Sequence, residues 1–295
     1  MRFKPFLFFF FLLLYTVTIT AQITDLARLE YTYFPQSDSD NSFRRFRVFA
    51  NVPLELKEGV YLVPGVEYRN VNLKYKDQAP FDITNLDRFQ SFRATLGYTF
   101  PMKNDWRFGA TVGAIVASNF SKDNFESDDL LYTGAVYFIK SRKDAVKPNR
   151  LILGLQYSTT AGRPFPLPIV NYFRRFDTNW SYTLGVPKTN LKYYIGDKSI
   201  LQSFVTLDGF FANLQENRPT VVSDGTTKNA DNISMTVVLA GLGYEYKITD
   251  HLFYYIYAGY TLANDIRLRD DNQDDIFTVN DANTFYARSG IKFKI

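Results

Sequence analysis

From residue 25 onward, apolar and polar side chains alternate with period two in run after run, and polar breaks separate the runs. The clearest stretch is 232–264, two arms joined at 248–251. In the first arm Thr236, Val238, Ala240, Leu242, Tyr244 and Tyr246 share one face, and Gly241, Gly243, Glu245 and Lys247 share the other. In the second, Leu252, Tyr254, Ile256, Ala258, Tyr260 and Leu262 fall together. Such alternation marks strands and not helices. Strands of soluble domains usually run about five or six residues, whereas a tilted strand crossing a bilayer needs about nine to eleven. The arms are of the longer kind. They predict a hairpin of a transmembrane barrel.

The same pattern recurs along the chain. Runs at 25–34, 43–56, 60–75, 86–100, 106–120, 130–140, 151–160, 169–176, 200–214 and 285–295 all read as strands. Pro64 inside 60–75 removes a ladder donor and predicts a bulge or local break. Within 180–195, the stretch 187–190 reads either as a turn between two short strands or as a bulge in one strand. The first reading gives 14 strands in all and the second 13. Twelve follows if a weak strand near 161–195 is misread, and parity favours the 14 of an even barrel. The predicted fold is all-β, an antiparallel up-and-down transmembrane β-barrel. Connections alternate between short (57–59, 101–105) and long (76–86, 122–129), the habit of barrels with periplasmic turns and external loops. By that count the 248–251 turn is periplasmic. Closure follows from physics, because in lipid every backbone N–H and C=O must pair internally.

Composition sharpens this picture. Phe (28) and Tyr (21) dominate an aromatic content of 17%, yet mean hydropathy is only −0.20. Lipid-facing and lumen-facing residues that alternate average out in this way. Phe100, Trp106, Trp180, Tyr246 and Phe253 flank turns on the periplasmic side, where interfacial aromatics belong. Residues 1–21 form a leader with Arg2 and Lys4, an apolar run from Phe6 to Val17, and the small end Thr20–Ala21. That is the pattern of a cleaved signal peptide, leaving 22–295 as one barrel domain and predicting an outer-membrane location.

Candidate chemistry is sparse. The chain has no Cys and one His, so thiolate chemistry is excluded, and a hydrolase triad or dyad would need that His as its base. His251 lies in the short turn, away from the outer rim, and reads as a turn residue. No phosphate loop and no metal-spaced cluster occurs, so no catalytic, cofactor or metal residue is expected. The net charge of +4 is not a nucleic-acid signature. The acidic loops around Asp123, Glu126, Asp128 and Asp129 and at 270–275 read as solvated external loops. Expected partners are outer-membrane lipid and lipopolysaccharide, with small-solute cargo.

The faces opposite the lipid carry the most information. Arg45, Arg47, Arg69, Arg93, Arg107, Lys247, Arg288, Lys292 and Lys294 point inward by parity, with Glu67, Asp208 and Glu245. A cationic lumen would favour anionic solutes, since rings of charge set pore selectivity. The alternative is a filled barrel whose Arg–Glu pairs brace the wall. The leader ending Ala-Gln, the runs FRATLGYTFPMKNDWRFGATVGA and WSYTLGVPKTNLKYYIG, and the Phe-rich end strand resemble an uncharacterised family of Bacteroidota-type outer-membrane β-barrels, a domain of unknown function. The resemblance implies fold and location and brings no active site. A passive pore for small solutes, a non-conducting structural or surface-interaction barrel, and an outer-membrane lipid enzyme are the readings open at this point, in falling order.

Overall fold

A computed structural model describes residues 25–35, 42–75, 82–122, 124–142, 145–221 and 225–294. The leader read at 1–21 lies outside them. The chain forms one antiparallel sheet closed into a 14-strand barrel. In order the strands are β1 (Ala27–Phe34), β2 (Ser42–Asn51), the short β3 (Leu54–Lys57), β4 (Val60–Lys74), β5 (Arg88–Pro101) and β6 (Trp106–Ser118). Next come β7 (Leu130–Arg142), β8 (Asn149–Ser158), β9 (Phe165–Arg175), β10 (Trp180–Val186) and β11 (Lys188–Ile195). Last are β12 (Ser199–Val221), β13 (Thr227–Lys247), β14 (Leu252–Arg269), β15 (Asp275–Asn280) and β16 (Phe285–Phe293). Strand β3 pairs only with β4, and β15 forms an outer hairpin with β14, so neither adds to the wall. Pairing of β16 with both β14 and β1 closes the ring.

The wall follows the sequence pattern closely. Outward positions such as Leu96, Val112, Tyr132, Leu184 and Leu242 are exposed and apolar, as a lipid-facing band requires. The chain bends at Pro187, and β10 and β11 are separate short strands that meet as a hairpin, with 188–190 already in β11. Pro64 does not break its strand. It sits opposite Leu96 and its carbonyl accepts from Val52, so the irregularity falls on the neighbour at 52–53. The alternating run read at 200–214 does not mark the end of the strand, since 218–221 pairs with 227–230 and extends the β12–β13 hairpin beyond the alternating part. Alternation does not mark that extension because neither of its faces meets lipid.

At 23 residues β12 is about twice the length needed to cross a bilayer, and its half toward the long connections, called the outer half for that reason alone, leaves the wall. Its neighbour β11 ends at Lys188, opposite Thr206. Beyond that point β12 leans across the interior and meets β6, where Asn213 pairs with Ser118 in parallel. The outer half of the molecule is therefore a smaller ring of β12, β13, β14, β16, β1, β2, β4, β5 and β6. The buried core cluster comes from these strands and their loops, and none of it from β7–β11. Phe89 on β5 reaches Phe210 on β12 at 6.1 Å between ring centroids, spanning this ring. Strands β7–β11 curve round the far side of β12, and their inner faces bound what we call the second compartment.

Candidate functional site: a braced lumen with one cationic side

Four carboxylates organise the first compartment. Asp208 on β12 accepts two bonds from Arg45 (Nη1–Oδ1 2.9 Å, Nη2–Oδ2 2.6 Å) and one from Arg288 at 2.8 Å. Glu67 accepts from Arg47 Nε at 2.9 Å and Arg69 Nε at 2.6 Å, with Arg93 4.0 Å away. Glu30 accepts the Tyr255 hydroxyl at 2.6 Å and lies within 4 Å of Arg28, Arg45 and Arg288. Glu245 is ringed by Lys292 at 2.6 Å, Lys192 at 3.3 Å, Gln202 at 2.9 Å and the Tyr257 hydroxyl at 2.6 Å. Arg45, Glu30, Glu245, Tyr255 and Lys292 are each no more than 3% exposed. A water-filled pore at this level would leave them wet. The brace fills it.

Of the residues that parity turns inward, the structure brings together Arg45, Arg47, Glu67, Arg69, Arg93, Asp208, Glu245, Arg288 and Lys292. The parity reading missed Glu30, Arg28, Lys192 and Gln202, whose strands have the alternation that would place them inward. With Glu30 the inward carboxylates number four, and each is shared between at least two cations. Arg107 stands apart, donating to the Gly59 carbonyl at 2.8 Å over the Tyr61 ring. Lys247 lies at the turn, bonded to Asp250 at 2.7 Å. The hydrogen bond and charge of Lys247 hold that exposed carboxyl below its ordinary range. His251 is exposed in the same turn, its Nδ1 3.0 Å from the Lys294 carbonyl. Among the described residues no cluster of three potential ligands could hold a metal ion.

The second compartment is built differently. No strand from β5 to β11 carries an Asp or Glu. Facing inward there are Arg107, Arg150, Lys188 and Lys192, the last paired with Glu245 of β13, among half-buried Thr111, Tyr137, Gln156 and Asn171, with Arg175 exposed at the end of β9. Arg150 is paired with Phe173 across β8–β9, and its guanidinium lies 5.9 Å from that ring. Its Nε and Nη1 are buried with no hydrogen-bond partner. Lys188 reaches Gln202 at 3.4 Å and lies over the rings of Phe204 and Tyr257. Among the described residues only Lys192 of these has a carboxylate within 4 Å; a buried cation without a counter-ion is costly, so the rest of this face favours an anion.

Two contacts close the outer end. The tip of β12 is latched to the β6–β7 loop, where a 3₁₀ turn, η1 (Ser127–Asp129), presents Asp129. Asn213 donates to Asp129 Oδ1 at 2.8 Å and Gln215 to Asp129 Oδ2 at 2.7 Å. The Gln215 backbone N–H bonds Asn119 at 3.0 Å, and the Lys122 N–H bonds the Gln215 side chain at 3.0 Å. Asp129 and Gln215 are fully buried, so Asp129 is not part of a solvated loop as its sequence context suggested. Over the second compartment a further 3₁₀ turn, η2 (Thr159–Ala161), folds against β12 and β13. Thr236 donates to the Ala161 carbonyl at 2.9 Å. A Cβ on Gly209 would stand 2.4 Å from the Thr160 carbonyl oxygen, so only glycine allows this approach.

Residues 17–294 match a family described as a domain of unknown function, DUF6268. No curated protein matches the sequence. Among solved structures, LpxR from Salmonella typhimurium aligns with 91% of this chain and 100% of its own at 7% identity and a TM-score of 0.38. The outer membrane phospholipase A of Escherichia coli aligns over 92% and 96% at 10% identity and 0.37. A KdgM porin aligns over 91% and 99% at 8% identity and 0.35. The barrel is established by the chain's own strand pairing.

Proposed function

The chain belongs to the DUF6268 family, and we propose that this member is an outer-membrane barrel forming a narrow, anion-preferring conduit for small solutes along β5–β11. The observation that carries this reading is the inner face of those strands, which has cations and no carboxylate. Solute would run beside Arg107, Arg150 and Lys188, whose field favours negative charge in a low-dielectric surround. The braced compartment does not conduct in this reading; it holds β12 in place as the partition. The latch at Asp129 and the η2 flap set how often the outer end opens. Export by a cleaved leader at 1–21, with the short turns toward the periplasm, completes the arrangement. Apolar outward positions contact lipid, and the external loops face lipopolysaccharide.

The latch favours a second reading, a non-conducting structural barrel, because it is a buried polar network of the kind that rigidifies when fully satisfied. Planar-bilayer recording separates the two. Purified protein with Asp129→Ala, which releases Asn213 and Gln215, carries larger and longer openings than wild type if the conduit exists. Absence of current in both proteins supports the structural barrel. The lipid-enzyme reading keeps only His251, and unchanged lipid turnover in His251→Ala would remove it.

A further inference from the structure

The outer wall carries a feature that the lumen does not use. Where β12 leans inward the lipid-facing surface becomes concave, leaving a depression of about 1080 Å³ across β10–β14, β16 and β1. Its lining is almost wholly apolar and includes Leu191, Val205, Leu242, Tyr260 and Phe285. Small outward residues, Ala240, Ala258 and Ala287, form its floor. Tyr33 and Pro35 of β1 close one side, at the end of the barrel that carries the long connections.

Next to that side stands an outward row of cations. Register places Tyr33 beside Arg44 on β2, Arg44 beside Asn72 on β4, and Asn72 beside Arg88 on β5. Lys74 lies two residues further along β4. Arg44, Lys74 and Arg88 are exposed, and among the described residues none of them has an acidic partner. The Arg44 guanidinium lies 5.4 Å from the Tyr33 ring centroid, so one tyrosine joins the cationic row to the apolar depression. Arg88 Nε donates to the side-chain Oδ1 of Asn70 at 3.2 Å. Just nearer mid-wall on the same outward faces lie the aromatic neighbours Phe46, Tyr68 and Phe92, with Tyr68 and Phe92 4.8 Å apart. Apolar wall, aromatic level and cations therefore succeed one another, the order of acyl chains, interface and headgroup in one leaflet.

From this juxtaposition we infer a binding site for a phosphorylated, multiply acylated glycolipid of the outer leaflet. Its acyl chains fill the depression, and its phosphates meet Arg44, Lys74 and Arg88. Guanidinium groups suit phosphate because their forked donors can bond two oxygens at once, and basic clusters at a membrane surface select anionic headgroups. The site rests on the orientation in the proposed reading, with the long connections outward, and not on conduction.

Native mass spectrometry of the detergent-purified protein tests it. The ligands are bisphosphorylated hexa-acyl lipid A, its dephosphorylated form, phosphatidylglycerol and inorganic phosphate. Wild type retains the bisphosphorylated glycolipid at least tenfold more than the dephosphorylated form. Arg44→Ser/Lys74→Ser/Arg88→Ser abolishes that preference, and Ala258→Trp weakens retention of the glycolipid while leaving the barrel folded by gel mobility without boiling. Equal retention of both glycolipids, retention unchanged in the triple variant, or equal retention of phosphatidylglycerol would each overturn the assignment. So would binding of inorganic phosphate only. Conductance measured on the same triple variant stays at the wild-type level, so failure of this site and failure of the conduit are distinguishable.

Discussion

Asp208 is the residue on which the first compartment turns. It joins β12 to Arg45 on β2 and Arg288 on β16, and both guanidinium groups are buried beside it. Replacing it with Asn leaves two buried cations short of charge, and breaking such a pair costs about 3–5 kcal/mol. Equilibrium unfolding of Asp208→Asn in detergent should show a loss of that size, while Asp208→Asn combined with Arg45→Met recovers part of it. Arg150 makes the opposite case. Among the described residues it has no acidic partner to lose, so Arg150→Gln should change stability by less than Asp208→Asn while lowering anion preference. Parity in the sequence was enough to turn Arg45, Glu67, Asp208 and Arg288 inward, because a strand fixes the side of each residue. It did not reveal which cations would be spent on one another, because that depends on strands far apart in sequence meeting across the lumen. Arg150 was legible by the same parity, opposite Leu151, Leu153 and Leu155, and the absence of acids from these strands could also have been read there.

At the scale of elements, the β12–β13 hairpin decides the interior. Its wall portion follows the alternating pattern, and its outer portion is fixed by polar contacts that no local pattern announces. Asp129 belongs to a loop in sequence and to a buried network in space. Gly209→Val should push η2 off β12, since even a Cβ would overlap the Thr160 carbonyl, and overpacking of this kind costs about 1–3 kcal/mol. Faster amide hydrogen exchange in 159–162, with β1–β5 protection unchanged, is the expected result. Protection that is unchanged at 159–162 would show that η2 does not depend on that contact. Residues 187–190 illustrate the limit of sequence at this scale. Turn and bulge both suited the stretch, and the choice came from whole-barrel parity.

For the molecule as a whole, lipid outside and charge inside are two halves of one account. Val112 stands at the middle of β6 and is 65% exposed on the outer wall. Val112→Arg should cost about 2–4 kcal/mol near the bilayer midplane, measured by folding into lipid vesicles; a neutral result would place that face away from hydrocarbon. Inside, a compartment braced by carboxylates lies beside strands that carry none. Reversal potentials across a planar bilayer under a potassium chloride gradient test the anion preference of those strands most directly, using the Asp129→Ala variant so that the outer end is unlatched. The predicted result is a potential on the chloride-preferring side that shifts toward cation preference in Asp129→Ala/Arg150→Glu and remains in Asp129→Ala/Lys247→Glu. A cation-preferring potential, or one that Arg150→Glu leaves unmoved, would contradict the account.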